Sequence, residues 1–205
     1  MDVGMMNEAE APPPDEAASD VRHRNANTLQ LLATLARMRG QKTVEAEQRR
    51  MMIWMAESIG ALGALERQRT PSGLAFSTYL QEMAQVWRRR PGGGGIAVSV
   101  EAAPILVRDQ TAPTLALIVN ELVANALQHG SSDSGAVVNV RLGQDGESLR
   151  LVVEDEGPGP PLGIVEERFG LWLVRSLAAQ IRGIVEVGPG QVRGFRASLR
   201  FPPGA

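Results

Sequence analysis

The chain has 205 residues, 21 basic and 23 acidic side chains, and a formal net charge of −2. That length permits one or two domains with a sizeable core, and the balanced charge argues against nucleic acid or an anionic membrane as partner. Cysteine is absent, which excludes disulfides and thiol catalysis, and no apolar run approaches the roughly 20 residues of a membrane span. The start, Met1 to Glu8, is acidic and lacks the basic opening of a signal peptide. The expectation is a cytoplasmic protein. Arginine carries the positive charge, with Lys42 the one lysine.

Residues 1–18 contain Ala11-Pro-Pro-Pro-Asp-Glu-Ala-Ala18 and read as a disordered tail too short for a sensor domain. Ser19 or Asp20 suits the N-cap of a helix running to about Gly40. On its wheel Leu29, Leu31, Leu32, Ala33, Leu35 and Ala36 share a broad apolar arc. His23, Asn27, Gln30, Thr34, Arg37 and Gln41 fall on the opposite face, so His23 is expected in solvent. A second helix spans about Val44 to Arg69, with Met52, Met55, Ile59, Leu62 and Leu65 at bundle spacing. One hairpin buries little, so residues 19–70 predict a homodimeric four-helix bundle.

Thr70-Pro-Ser-Gly73 breaks the pattern and marks a domain boundary. A third helix follows over Leu74 to Arg89, with Trp87 in the core and Arg88-Arg-Arg90 as a solvated end. Pro91 to Gly95 is a flexible turn. Strands are expected at Ile96–Val100 and Ile105–Val107, then a helix from Thr111 to His129. Ala136–Leu142 and Ser148–Glu154 flank Gly143-Gln-Asp-Gly146 as a hairpin. A helix at Gly170–Ile181, capped by Gly183, and strands at Ile184–Val187 and Phe195–Phe201 complete residues 74–205 as an α/β two-layer sandwich.

Three islands carry the chemistry. Leu117 to His129, containing Asn120-Glu-Leu-Val-Ala-Asn125, is an amphipathic helix with a polar seam of Asn120, Glu121, Asn125 and Gln128. Leu151 to Gly159 is a buried strand ending in Asp155-Glu-Gly-Pro-Gly159. Arg168-Phe-Gly-Leu-Trp-Leu-Val174 opens a helix whose free N–H groups suit an anion.

In that order the islands resemble the N, G1 and G2 boxes of the Bergerat-fold ATPases, the superfamily of histidine kinases, DNA gyrase and the MutL repair proteins. His23-Arg-x-x-Asn27-x-Leu29-Gln30 is similar to the phosphoacceptor box of one group of bacterial two-component sensor histidine kinases. The resemblance spans nearly everything from His23 to the C-terminus. It implies a kinase that binds ATP with Mg²⁺ over residues 74–205, phosphorylates His23 on the hairpin, and passes the phosphoryl group to an aspartate of a separate response regulator receiver domain. A separate sensor protein is a compatible further partner.

By the resemblance His23 and Glu121 are catalytic, and Asn125 holds the metal. Asn120 and Arg168 lie near the phosphates, and Asp155 accepts the adenine amino group. Gly157, Gly159 and Gly170 let the backbone approach the nucleotide. Ala26 and Gln128 stand where related kinases usually carry Lys, and Pro160 to Phe169, the expected ATP lid, holds only Arg168 as a cation. Two alternatives stay open: a degenerate histidine phosphotransferase with weak or no ATP binding, and a serine-kinase anti-sigma-like regulator.

Overall fold

The computed structural model describes residues 14–70, 73–89, 95, 97–129, 131–132, 135–159 and 169–203. The expected glycine-rich turn at 91–94 and the lid at 160–168, with Arg168, lie outside the described residues.

Two long antiparallel helices come first, α1 (Pro14–Lys42) and α2 (Ala46–Arg67). Helix α1 starts earlier than Ser19 and runs through part of the segment expected to be tail. The apolar arc of α1 divides in two. Ala26, Ala33 and Gly40 are buried, with Leu29 and Ala36 half-buried between them, and this small-residue stripe faces α2. Leu31, Leu32, Leu35 and Met38 are exposed. On α2 the expected stripe is buried at Leu65 and half-buried at Met52, Ile59 and Leu62, but Met55 is exposed. Gly63 lies against Ala26 and Leu29 of α1 and lets the helices approach closely, and Ala56, Ala61 and Ala64 are buried as well.

The expected boundary is structured on both sides. Strand β1 (Arg69–Thr70) pairs antiparallel with β2 (Gly73–Ala75), which pairs with β4 (Leu106–Val107). Ala61, Ala64 and Leu65 at the end of α2 belong to the same hydrophobic core as the rest of the chain. Helix α3 (Phe76–Arg88) buries Phe76, Tyr79, Leu80, Met83 and Trp87. Arg88 is not a free solvated end: its guanidinium donates to the Val98 carbonyl and ties α3 to β3 (Ala97–Ala102).

The main sheet has the order β3-β6-β7-β9-β8, where β6 is Gly135–Asp145, β7 Ser148–Asp155, β8 Ile184–Pro189 and β9 Phe195–Phe201. Short β5 (Ser131–Ser132) pairs off this path with β6. Among the described strands only the β3–β6 pairing is parallel, in keeping with a mostly antiparallel sandwich. The β6–β7 turn is tighter than expected. Asp145 pairs with Ser148, leaving Gly146 (φ 62) and Glu147 to turn, while Gly143 and Gln144 continue the strand.

Helices α4 (Ala112–His129) and α5 (Phe169–Gln180) cover one face of this sheet. Helix α5 ends in a Schellman motif, with Gly183 N–H bonded to Ala178 O and Arg182 N–H to Ala179 O. The left-handed residue is Arg182 (φ 53), not Gly183. Gly183 relieves crowding, since a Cβ there would stand 2.7 Å from Leu199 Cδ1 and 3.2 Å from the Arg200 carbonyl oxygen.

A candidate nucleotide site on α4, β7 and α5

Helical spacing puts residues four apart on one face, and α4 carries Glu121 and Asn125 that way. Asn125 Nδ2 lies 3.4 Å from Glu121 Oε1. The first turn of α5 packs on this pair. A Cβ at Gly170 would collide with Glu121 Oε1 and stand 3.1 Å from Asn125 Nδ2, so any larger residue would displace this pair. The amide-bearing start of α5 is thereby held beside one carboxylate and one carboxamide.

Asn120 leaves the expected seam. One position earlier means about 100° around the axis, and that turns Asn120 into the core, where its Oδ1 accepts from Trp87 Nε1 at 3.2 Å. It is 3 % exposed. Gln128 and His129, at the end of α4, are exposed.

At the end of β7, Asp155 is 2 % exposed. Its Oδ1 accepts the N–H of Gly157 at 2.9 Å and that of Phe195 at 3.3 Å. Burial pushes its carboxyl above the usual aspartate range; the Gly157 and Phe195 N–H groups and nearby His129 oppose the rise, while Glu154 adds to it. Gly157 is buried under it, and Gly159 adopts φ 74, with space for a Cβ blocked 2.9 Å away by the Gly194 carbonyl. A fixed buried acceptor beside a glycine turn fits an amino-bearing ring, and the start of α5 fits an anion. Among the described residues no three acidic or imidazole side chains converge to cage a metal ion. An ion here would draw on Asn125 together with oxygens of the nucleotide.

With this geometry in place, the comparisons decide the family. Residues 110–205 match the family described as histidine kinase-, DNA gyrase B-, and HSP90-like ATPase. The C-terminal half belongs to that ATPase family. Blue-light-activated histidine kinase 2 of Erythrobacter litoralis is 29% identical over 184 residues, covering 82% of this chain and 53% of that protein. Sensor histidine kinase PdtaS of Mycobacterium tuberculosis is 28% identical over 205 residues, covering 93% and 40%. The chain thus spans about half, or less, of these curated relatives, and it is itself a relative of bacterial two-component sensor histidine kinases. Among solved structures, the histidine kinase domain of an Erythrobacter litoralis blue-light activated kinase superposes with TM-score 0.65 at 24% identity, covering 91% of this chain and 94% of that one. The ATP binding domain of PrrB from Mycobacterium tuberculosis gives 0.52 at 26%, covering 64% and 96%. No helix among the described residues is long and apolar enough to cross a membrane.

The ATPase half is touched by the hairpin. Trp54 of α2 donates its indole N–H to Glu121 Oε2 at 2.7 Å, and its ring meets Phe169 edge-on at 5.9 Å. Phe169 in turn contacts Trp172. His23 is exposed on α1, as expected, but not beside this site. Gly63 lies against Ala26 and Leu29, and Gly40 against Arg49 and Met52. That register sets Trp54 level with about residue 37 of α1, roughly 14 residues or about 20 Å along the axis from His23.

Sequence reasoning missed Trp54, which lies off the methionine and leucine stripe of α2. It also missed the connection from Gly190 to Gly194. The glycines of Gly188-Pro-Gly190 and Gly194, ahead of the last strand, were the available signal.

Proposed function

We propose that this chain is an ATP-dependent protein-histidine kinase that phosphorylates His23 and passes the phosphoryl group to an aspartate of a separate response regulator. In this reading residues 19–70 form the dimerisation and phosphoacceptor unit and residues 74–205 the nucleotide-binding unit. The observation that carries it is the meeting of Glu121, Asn125 and the start of α5 at Gly170, within one ATPase domain that also offers Asp155 as a buried acceptor.

Asp155 takes the 6-amino group of adenine, with its orientation held by the two N–H groups at Oδ1. Gly157 and Gly159 allow the backbone to approach the base, and the first N–H groups of α5 meet the phosphates. Asn125 would supply one oxygen to Mg²⁺, which would neutralise charge on the phosphoryl oxygens when bound. Asn120 is assigned no nucleotide contact, because Trp87 and the core already hold it.

In the transfer, an unprotonated ring nitrogen of His23 forms the N–P bond while the bond from the γ-phosphorus to the β,γ-bridging oxygen breaks and ADP leaves. Positive charge grows on the imidazole, and its second nitrogen gives up a proton to the Glu121 carboxylate or to water. In the second step the aspartate oxygen of the receiver forms an O–P bond as the His23 N–P bond breaks, and the imidazole takes up a proton from water or Glu121, which restores neutral histidine.

The separation of His23 and Trp54 means that the ATPase half must leave Trp54 and travel along the hairpin before transfer. The exposed Leu31, Leu35 and Met38 of α1, beside Met51 and Met55 of α2, form the surface for a second copy. Similarity to the relatives reaches over the hairpin, a part that a serine-kinase anti-sigma regulator does not require.

The test is incubation of wild type and His23→Ala with γ-labelled ATP and Mg²⁺. Acid-labile phosphate is expected on wild type and none on the variant, with both proteins folded. A variant labelled at the wild-type level overturns the reading. Nucleotide binding without any labelling favours the degenerate phosphotransferase.

A further inference from the structure

One buried carboxylate has no part in this scheme. Glu154 precedes Asp155 on β7, and because side chains alternate across a strand, the two point to opposite faces of the sheet. Glu154 is 7 % exposed. Its Oε2 accepts from Arg141 of β6, and its Oε1 accepts the backbone N–H of Gln191, in the connection between β8 and β9.

That connection lies on both acidic residues. It is closed by Gly190 N–H to Gly194 O at 3.0 Å. Its return leg covers Asp155: Phe195 N–H donates to Oδ1, and a Cβ at Gly194 (φ 82) would collide with the Asp155 carbonyl and stand 2.6 Å from Oδ1. Gln191, Val192 and Arg193 are exposed, so these residues have little packing of their own to hold the connection in place. The Glu154 carboxylate anchors it from the sheet, next to where it meets Asp155.

We propose that Glu154 is a positioning residue for adenine selection: by holding the Gln191 amide it fixes the Gly190–Gly194 connection, and through it the orientation of the Asp155 carboxylate that accepts the 6-amino group. This rests on the ATP-site reading above. A guanine nucleotide separates the two ideas, because it presents a 6-oxo group where adenine presents a donor. A fixed carboxylate rejects it, and a loosened carboxylate discriminates less.

The experiment measures ADP and GDP binding with Mg²⁺ by calorimetry on the full chain, together with thermal melting. Four proteins are compared: wild type, Glu154→Gln, Glu154→Asp and Glu154→Ala. Gln keeps an oxygen for the Gln191 N–H, Asp draws the carboxylate back by one methylene, and Ala removes it. Wild type is expected to prefer ADP. The Asp and Ala variants are expected to lose about tenfold in ADP affinity with GDP affinity unchanged, and Gln to stay within about threefold of wild type. Should Ala fail to fold, the Asp variant carries the same comparison. An unchanged ADP-to-GDP ratio in folded Asp and Ala variants overturns the positioning role, and so does an equal loss for both nucleotides accompanied by a lower melting temperature. A wild type with no preference for ADP overturns the ATP-site reading itself, and the positioning role with it.

Discussion

The hairpin and the ATPase half bury their apolar residues very differently. In the ATPase half Leu115, Ile118, Val119, Leu151, Leu199 and Phe201 are fully enclosed between helices and sheet. In α1 the enclosed positions are small, Ala26, Ala33 and Gly40, while Leu31, Leu35 and Met38 stand 59 %, 53 % and 51 % exposed. Loss of the hydrophobic effect at several large side chains on one face is costly, and single domains rarely leave such a stripe in water. One half is finished by its own fold. The other leaves a stripe of large apolar side chains in water.

The largest expected effect breaks that unfinished face. Leu31→Glu with Leu35→Glu places two charges at the centre of the stripe without touching the α1–α2 contact, which runs through Ala26, Ala33 and Gly40. Wild type is expected to scatter light as a dimer at micromolar concentration and the double variant as a monomer with unchanged helix content. A wild-type monomer would show that the stripe is covered by something other than a second copy.

The finished half is probed at its buried acceptor. Asp155→Asn replaces a charged acceptor and is expected to weaken ADP binding about ten- to a hundredfold, as a lost charged hydrogen bond of roughly 1.5–3 kcal/mol implies. Calorimetry checks it. Burial raises the folded-state pKa of Asp155, so the carboxylate takes up its proton at a higher pH than a free aspartate does. The sign for binding follows: ADP affinity should fall on acidification, starting above the ordinary aspartate range, as the anionic acceptor is lost. The sign for stability is the reverse, since protonation relieves a buried charge and favours the folded form between the raised pKa and the unfolded one. An affinity flat across that window would remove Asp155 from the adenine contact.

These two regions also differed in how well the sequence revealed them. The ATPase half was legible because each element is set locally: alternation fixes β6 and β7, and 3.6-residue periodicity fixes α4. The exposed place of His23 was legible for the same reason. What escaped depends on contacts distant in sequence. Nothing local says that Asn120 turns to Trp87, that Arg88 reaches Val98, or that Trp54 meets Glu121 across 67 residues. The division of the α1 arc was hidden too, because a helical wheel gives the apolar face but not which part of it a partner helix with alanines and glycines covers.

A smaller effect is expected where the two halves touch. Trp54→Phe keeps a ring against Phe169 but removes the N–H donated to Glu121. If the ATPase half must leave this contact to reach His23, the initial rate of histidine phosphorylation should rise, by about three- to tenfold for the roughly 0.5–1.5 kcal/mol net contribution of one part-exposed hydrogen bond. The affinity for ADP should stay the same, because Trp54 touches no adenine contact. A rate that is unchanged or lower would mean that the contact holds Glu121 for catalysis and does not restrain it.

The smallest effect lies inside the finished half, where one polar atom spoils the enclosure. Tyr79 is fully buried beside Phe76, with ring centroids 4.9 Å apart, and its hydroxyl has no hydrogen-bond partner among the described residues. Burial, with a minor contribution from Glu82, pushes its phenol pKa upward, so the group stays protonated and carries an uncompensated O–H dipole. Leaving such a group unpaired costs about 1–3 kcal/mol, and removing it costs little packing because the ring remains. Tyr79→Phe is therefore expected to stabilise the protein, by about 1 kcal/mol, seen as a melting temperature higher by a few degrees. Nucleotide affinity should not change, since Tyr79 belongs to α3 and has no contact with α4's polar pair or with Asp155. A variant less stable than wild type would reveal a partner for the hydroxyl, a buried water or a residue beyond those described, and the core around α3 would then be less purely apolar than the comparison with the hairpin assumes.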